Sequence, residues 1–258
     1  MAETVERRIA LFIDFENLVT KTGISPTNFD LRPALDRLIE KGKIVFRRAY
    51  CDWSRFREAT GRLHELGVEL VDVPPSTRAG KNAADMRLVI DALELCYARE
   101  HINTFVIASG DSDFCPLAYK LRENDKLVIG LAVKQATSPL FVKACDEFIY
   151  LQTAEPRGEA AARARPKRDA QPKPPAQTRQ IPAVVRDVVS SLLARATGPL
   201  NPSLIKETIV RKQPDFDERE HGFSTFSRLL EAMEKERLLK REQQGRQWYV
   251  TPVDGRSE

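Results

Sequence analysis

The stretch Thr104–Phe114 limits what this chain can fold into more than any other. Thr104 to Ala108 is an unbroken apolar run closed by small residues, the pattern of a strand buried in a parallel sheet. Leu117, Ala118 and Leu121 then recur at helical spacing, so Ser109–Asp113 joins a strand end to a helix start. In an open α/β sheet that junction lies at the carboxyl edge, where ligands bind. Asp111 and Asp113, one residue apart, can hold a divalent cation through hard oxygen ligands. They can equally be ordinary helix N-caps. A site therefore requires other strands to bring carboxylates to the same edge.

Read from the N-terminus, strands and helices alternate. Ile9–Ile13 is a first buried strand running directly into Asp14-Phe15-Glu16-Asn17, a second carboxylate at a strand end. Leu31, Leu35, Leu38 and Ile39 mark an amphipathic helix that stops near Gly42. A strand over Lys43–Tyr50, a helix over Phe56–Leu66 closed by Gly67, and a strand over Val68–Val73 follow. The loop Ser76–Asn82 carries Arg78 and Lys81 and opens a helix over Ala83–Arg99 with a wide apolar surface. Asp85 sits in its first turn, a position that the helix dipole favours for any acid. Asp91, six residues on, is rotated about 120° from Asp85 and is the weaker ligand candidate. After the central stretch come strands at Lys126–Val133 and Phe148–Leu151. Strand–helix alternation throughout predicts an α/β fold with a central, mainly parallel sheet.

Composition changes sharply at Glu155–Ile181, which is rich in Pro, Ala and basic residues and nearly devoid of large apolar ones. It reads as a disordered basic linker, a spacer or a non-specific attractor of phosphate. Helical spacing resumes at Val184–Leu193, Asn201–Val210 and Phe223–Leu239, followed by a hairpin around Gly245 with Trp248-Tyr249-Val250. Helices followed by a small β-wing predict a winged helix-turn-helix. The expected division is a first domain over 1–153, a linker over 154–181 and a second domain over 182–253.

The net charge of +4 is compatible with a nucleic-acid partner without specifying one. No apolar run reaches the roughly 20 residues of a membrane span, so no membrane partner is expected. The charged N-terminus does not read as a signal peptide. Cys51, Cys96, Cys115 and Cys145 form no CxxC pair, which points to reduced thiols in a cytoplasmic protein rather than to zinc. His64, His101 and His221 lie apart and have no evident catalytic partner, and no Walker A glycine run is present.

Asp14, Asp85, Asp111 and Asp113 come from three places that a parallel sheet can bring to one edge. Together they would form a negative cluster suited to Mg²⁺ or Mn²⁺. Three segments, Leu11–Asn17, Lys81–Asp85 and Ser109–Phe114, resemble the signature segments of the NYN family, the branch of PIN-like ribonucleases that includes LabA-like proteins. The resemblance spans roughly Arg7–Leu151 and implies a PIN-like sandwich and metal-dependent cleavage of RNA. It implies that Asp14, Asp85, Asp111 and Asp113 are Mg²⁺ or Mn²⁺ ligands. Asn17 and Ser109 become polar supports that orient ligands or water, and Lys81 approaches substrate phosphate. Pro182–Pro252, with Gly222–Leu230, is similar to the OST-HTH/LOTUS domain, which implies an RNA-binding or protein-docking module. There Phe223 and Phe226 are expected in the core, and Arg211, Lys212, Lys240, Arg241 and Arg246 are the candidates for phosphate contacts. The alternative is a non-catalytic RNA-binding adaptor. A Toprim- or dehalogenase-like site fits poorly, because the first strand ends in Asp14-Phe15-Glu16.

Overall fold

The computed structural model describes residues 6–21, 25–26, 29–74, 82–151, 180–245 and 247–253. Its centre is β1 (Arg8–Asp14), in which Ile9 to Ile13 are wholly buried, as an apolar run with no polar alternation requires of a central strand. Parallel partners flank it: β2 (Lys43–Cys51) on one side and β4 (Thr104–Ala108) on the other. With β3 (Glu69–Asp72), β5 (Leu127–Val133) and β6 (Glu147–Leu151), six parallel strands follow the order β3-β2-β1-β4-β5-β6. The order reverses between β1 and β4, which makes their carboxyl ends the switch point at which such sheets open a crevice.

The expected helices form as α2 (Arg32–Ile39), α3 (Arg57–Glu65), α4 (Ala83–Ala98) and α5 (Cys115–Glu123). Two short ones have no counterpart in the sequence reading: α1 (Phe15–Thr20) and α6 (Pro139–Ala144), each six residues long. Neither is long enough to show a helical period, but each has a cap. Asp14 accepts from the Asn17 amide, and Ser138 accepts from the Leu140 amide.

The face of the sheet under α4 is organised by aromatic rings. Phe12 packs against Phe46, Tyr50 and Phe105, with centroids 5.1, 6.5 and 6.0 Å away. Tyr50 donates from its hydroxyl to Asp91 of α4 at 2.9 Å. Asp91, the weaker ligand candidate, is thus a buried anchor that also accepts from Arg48 at 3.1 Å and Arg87 at 2.9 Å. The apolar surface of α4 divides in two. Leu88, Ala92 and Cys96 are buried, whereas Met86, Ile90 and Tyr97 face outward.

The chain divides into two units, 1–155 and 156–258. The linker expected at 154–181 lies almost wholly outside the described residues; Ile181, its last position, is buried in the second core. That core is built by α7 (Ala183–Arg195), α8 (Pro202–Lys212) and α9 (Phe226–Lys235). The hairpin of β7 (Lys240–Gln244) and β8 (Gln247–Thr251) forms the wing, and Leu200 pairs with Val250 to extend it. Here α9 is shorter than the helix expected over Phe223–Leu239. Gly222 takes a left-handed turn (φ 81°), and the Thr225 side chain caps α9 at the Arg228 amide, so Phe223 precedes the helix. Phe223 and Phe226 are both in the core, as expected. Among the described residues no helix is long and apolar enough to cross a membrane.

Removing the Asp91 carboxylate would leave Arg48 and Tyr50 without their shared acceptor under α4. Asp91→Ala is expected to destabilise the first unit by about 3 kcal/mol. Urea unfolding of the full chain, with Trp248→Phe in both proteins so that Trp53 alone fluoresces, measures this.

Candidate functional site

The register of the β1–β4 pair builds the site. Ile13 lies opposite Ala108, so the next residue on each strand, Asp14 and Ser109, meets its counterpart at the edge. The Ser109 hydroxyl donates to Asp14 Oδ2 at 2.9 Å, and both residues are buried. The Asp111 amide in turn donates to the Ser109 oxygen at 3.3 Å. Asn17, in the first turn of α1, ties the two acids together. Its amide donates to Asp14 Oδ1 at 3.2 Å and its side chain donates to Asp111 Oδ2 at 3.3 Å. Asp111 also caps the 3-10 turn Ser112–Phe114 by accepting from the Asp113 amide at 3.2 Å. Capping and clustering are therefore both realised here: the hydrogen bonds that cap the helices also aim the carboxylates.

Asp85 enters through the direction of α4. This helix follows a strand that ends at the carboxyl edge, and its first turn stays there. Asp85 is half-buried, within electrostatic reach of Asp14, Asp111 and Asp113. Asp113 is exposed. Lys81 lies outside the described residues, so its place relative to the cluster is not part of this geometry.

The electrostatics are uneven. Burial, reinforced by the neighbouring Asp85, pushes the Asp14 carboxyl up to about 7, against the opposing effect of its Asn17 and Ser109 bonds. Burial also raises Asp85, with Asp111 and Asp113 adding to it. For Asp111, burial works in the same direction but is outweighed by bonds from Lys21, the Asp113 amide and Asn17, so its carboxyl is held below the usual range.

Two participants escaped the sequence reading. Lys21 follows α1 and bonds Asp111 Oδ2 through its ammonium. Its signal was the Asn17-x-x-x-Lys21 spacing, which shares a helical face only once α1 is known to start at Asp14. The other is the segment Ala136–Ser138. The Ser138 amide donates to the Gly110 carbonyl at 2.9 Å, and a Cβ on Gly110 would stand 2.2 Å from the Ala136 oxygen. Only glycine permits this approach, which holds the turn that carries Asp111.

The donor set is all hard carboxylate oxygen, and its crowding disfavours ionisation of Asp14 and Asp85 until positive charge arrives. That chemistry fits Mg²⁺ or Mn²⁺. Among the described residues, however, no group of three or more acidic, cysteine or histidine side chains is set to hold one ion. The four cysteines are free thiols.

In the second unit the candidate cations differ in setting. Arg211, Lys212 and Lys240 are exposed. Arg241 is held by Glu234 at 2.8 Å and stacks over Trp248, 5.3 Å from the ring centroid, so it is part of the packing of the wing. Arg246 lies outside the described residues.

A parallel sheet in this order, with acids at the switch point and a winged-helix unit later in the chain, fits a PIN-like fold followed by a small winged-helix module. Comparison with known families agrees: the NYN domain matches residues 8–152 and the OST-HTH/LOTUS domain matches residues 176–249. The chain belongs to the NYN domain family. It is 31% identical over 146 residues to an uncharacterized protein of Methanocaldococcus jannaschii, an alignment covering 57% of this chain and 56% of that one. The chain thus spans little more than half the length of that relative. The fold resembles the crystal structure of a protein of unknown function from Vibrio parahaemolyticus. The TM-score is 0.50 at 22% identity, over 59% of this chain and 97% of that one.

Two outcomes follow from this geometry. An acid whose folded pKa lies above its unfolded value weakens the fold as pH rises from the unfolded pKa through the folded one. Asp14→Asn is therefore expected to stabilise the metal-free protein by on the order of 2 kcal/mol near pH 8, the gain vanishing towards about pH 4. Denaturant titrations across that range read it. Gly110→Ala is expected to cost about 2 kcal/mol by forcing the Ala136 backbone away, measured by the same titrations near pH 7.

Proposed function

We propose that this protein is a metal-dependent ribonuclease that hydrolyses RNA phosphodiester bonds at the switch point of its parallel sheet. One observation carries the reading. Asp14 and Asp111 arrive from adjacent central strands and are cross-linked by Asn17 and Ser109, while the carboxyl of Asp14 is held high beside Asp85. Lys21 pairs with Asp111, but among the described residues only neutral donors bond Asp14, which is left short of positive charge.

In this reading Asp14, Asp85, Asp111 and Asp113 hold Mg²⁺ or Mn²⁺. The bound ion supplies Lewis-acid stabilisation of charge that develops on the attacked phosphate. The chain's own groups do the positioning. Ser109 and Asn17 fix the oxygens of Asp14 and Asp111 by hydrogen bonds that need no rearrangement. Asp14 is buried with an oxygen bonded to each of Asn17 and Ser109, and half-buried Asp85 adds its carboxylate from α4. Lys81 is assigned to substrate phosphate. The expected products carry a 5′-phosphate and a 3′-hydroxyl. The OST-HTH/LOTUS unit raises the local concentration of RNA near the catalytic unit through its tether.

A second reading, an RNA-binding adaptor without turnover, is favoured by the occupancy of the site: Lys21 already supplies a cation to Asp111, and among the described residues no three acids enclose a site for another. End-labelled single-stranded RNA, incubated with Mn²⁺, Mg²⁺ or chelator, separates the two. The ribonuclease reading expects cation-dependent cutting that falls at least about 100-fold in Asp111→Asn while RNA affinity stays within a few-fold of wild type. Tight RNA binding without cutting under every cation would establish the adaptor.

A further inference from the structure

Lys21 occupies a position that the proposed chemistry needs for something else. Its ammonium and the side-chain amide of Asn17 both donate to Asp111 Oδ2, and the Asp113 amide takes Oδ1. Oδ2 therefore has both in-plane lone pairs engaged while Oδ1 keeps one, so an ion that takes Asp111 through Oδ2, or through both oxygens, can do so only if one donor leaves. Asn17 is fixed within α1, with its own amide bonded to Asp14. The side chain of Lys21 is half-exposed and lies beyond the last residue of α1, on a flexible four-carbon stem. Of the two donors, Lys21 is the one free to swing into water.

The same ammonium lies within electrostatic reach of Asp14 and Asp85. One positive charge thus serves three carboxylates, which no single ion pair would require. Lys21 thus stands among the side chains that a divalent cation would use, and among the described residues no three of them form a ready chelate.

We propose that Lys21 is the resident cation of this site, and that a divalent ion engages Oδ2 of Asp111 only by displacing the Lys21 ammonium into solvent. The proposal rests on the reading that the cluster takes such an ion. It makes Lys21 a positioning residue: it keeps the acids together while the ion is absent and sets the concentration of ion at which the site fills. An alkali ion or a weakly held divalent ion would not displace it, so the lysine also acts as a threshold.

The test uses Mn²⁺ titrated into metal-free, full-length protein, with free Mn²⁺ read by electron paramagnetic resonance. Wild type, Lys21→Met, Lys21→Gln, Lys21→Arg and Asp111→Asn are compared, and circular dichroism verifies folding. Because the neutral variants have no ammonium for the ion to displace, Mn²⁺ is expected to bind at least about tenfold more tightly in Lys21→Met and Lys21→Gln. Lys21→Arg, which keeps the charge, is expected to stay near wild type, and Asp111→Asn to lose the site. The neutral variants should also melt earlier than wild type in chelator and gain more from Mn²⁺. Mn²⁺ binding by wild type that is equal or weaker in both neutral variants would overturn the role of Lys21 and leave the cation site standing. No Mn²⁺ binding by folded wild type or by either neutral variant would overturn both.

Discussion

The hydrogen bond from Ser109 to Asp14 is the contact on which the rest of the site depends. It crosses the seam between β1 and β4, one residue beyond the last strand pair, Ile13 opposite Ala108. A slip of one residue in that pairing would turn Asp14 away from Ser109 and bury an unpaired carboxylate. The apolar runs on either side prevent the slip, because every residue from Ile9 to Ile13 and from Phe105 to Ala108 is buried. Two wholly buried strand ends therefore deliver a carboxylate that burial disfavours.

Asp91 shows what comfort would look like. It too is buried on the α4 side of the sheet, but it accepts from Arg48, Arg87 and the Tyr50 hydroxyl. Two guanidinium groups and a phenol supply the charge and the donors that a desolvated carboxylate requires. Among the described residues Asp14 is hydrogen-bonded only by neutral donors, feels Lys21 without a bond to it and has Asp85 as a neighbour, so its burial is compensated only in part. Both are buried acids in the same unit, and the difference lies in who surrounds them. A chain selected only for stability has no reason to leave Asp14 in that state when Asp91 shows how to resolve it.

Much of this was legible in the sequence because apolar runs and their terminators are local. The strand Thr104–Ala108 has the expected bounds, and Asp111 stays at the edge because only Ser109 and Gly110 separate it from the strand end. The reversal of strand order, and with it the adjacency of Asp14 and Ser109, was not legible, since pairing partners lie 95 residues apart. The six-residue helix α1 was missed for a different reason. Its cap, Asp14, had already been read as a ligand, and two turns are too short to show a period. Losing α1 meant losing Lys21, whose position has meaning only relative to Asn17. In the second unit the apolar residues correctly marked a core, but left-handed Gly222 ended the pattern early and placed Phe223 before α9. Backbone conformation decided that boundary where hydrophobic spacing could not.

A site built this way has a consequence for how a cation is selected. Each neutral donor that orients Asp14 or Asp111 lowers the cost of ionisation a little, but none brings charge. The field of the cluster can therefore be relieved only by a cation that moves in, and two kinds are available: a tethered ammonium or an ion from solution. The ammonium has the advantage of local concentration, since it is held on the same chain within reach of Asp111. The divalent ion has twice the charge and can take several carboxylate oxygens at once, which a single ammonium cannot do with comparable geometry. Competition between them follows from the placement of Lys21 at the end of α1, four residues after the Asn17 that shares its acceptor. The framework that positions the acids thus also fixes the strength of cation needed to bring them together.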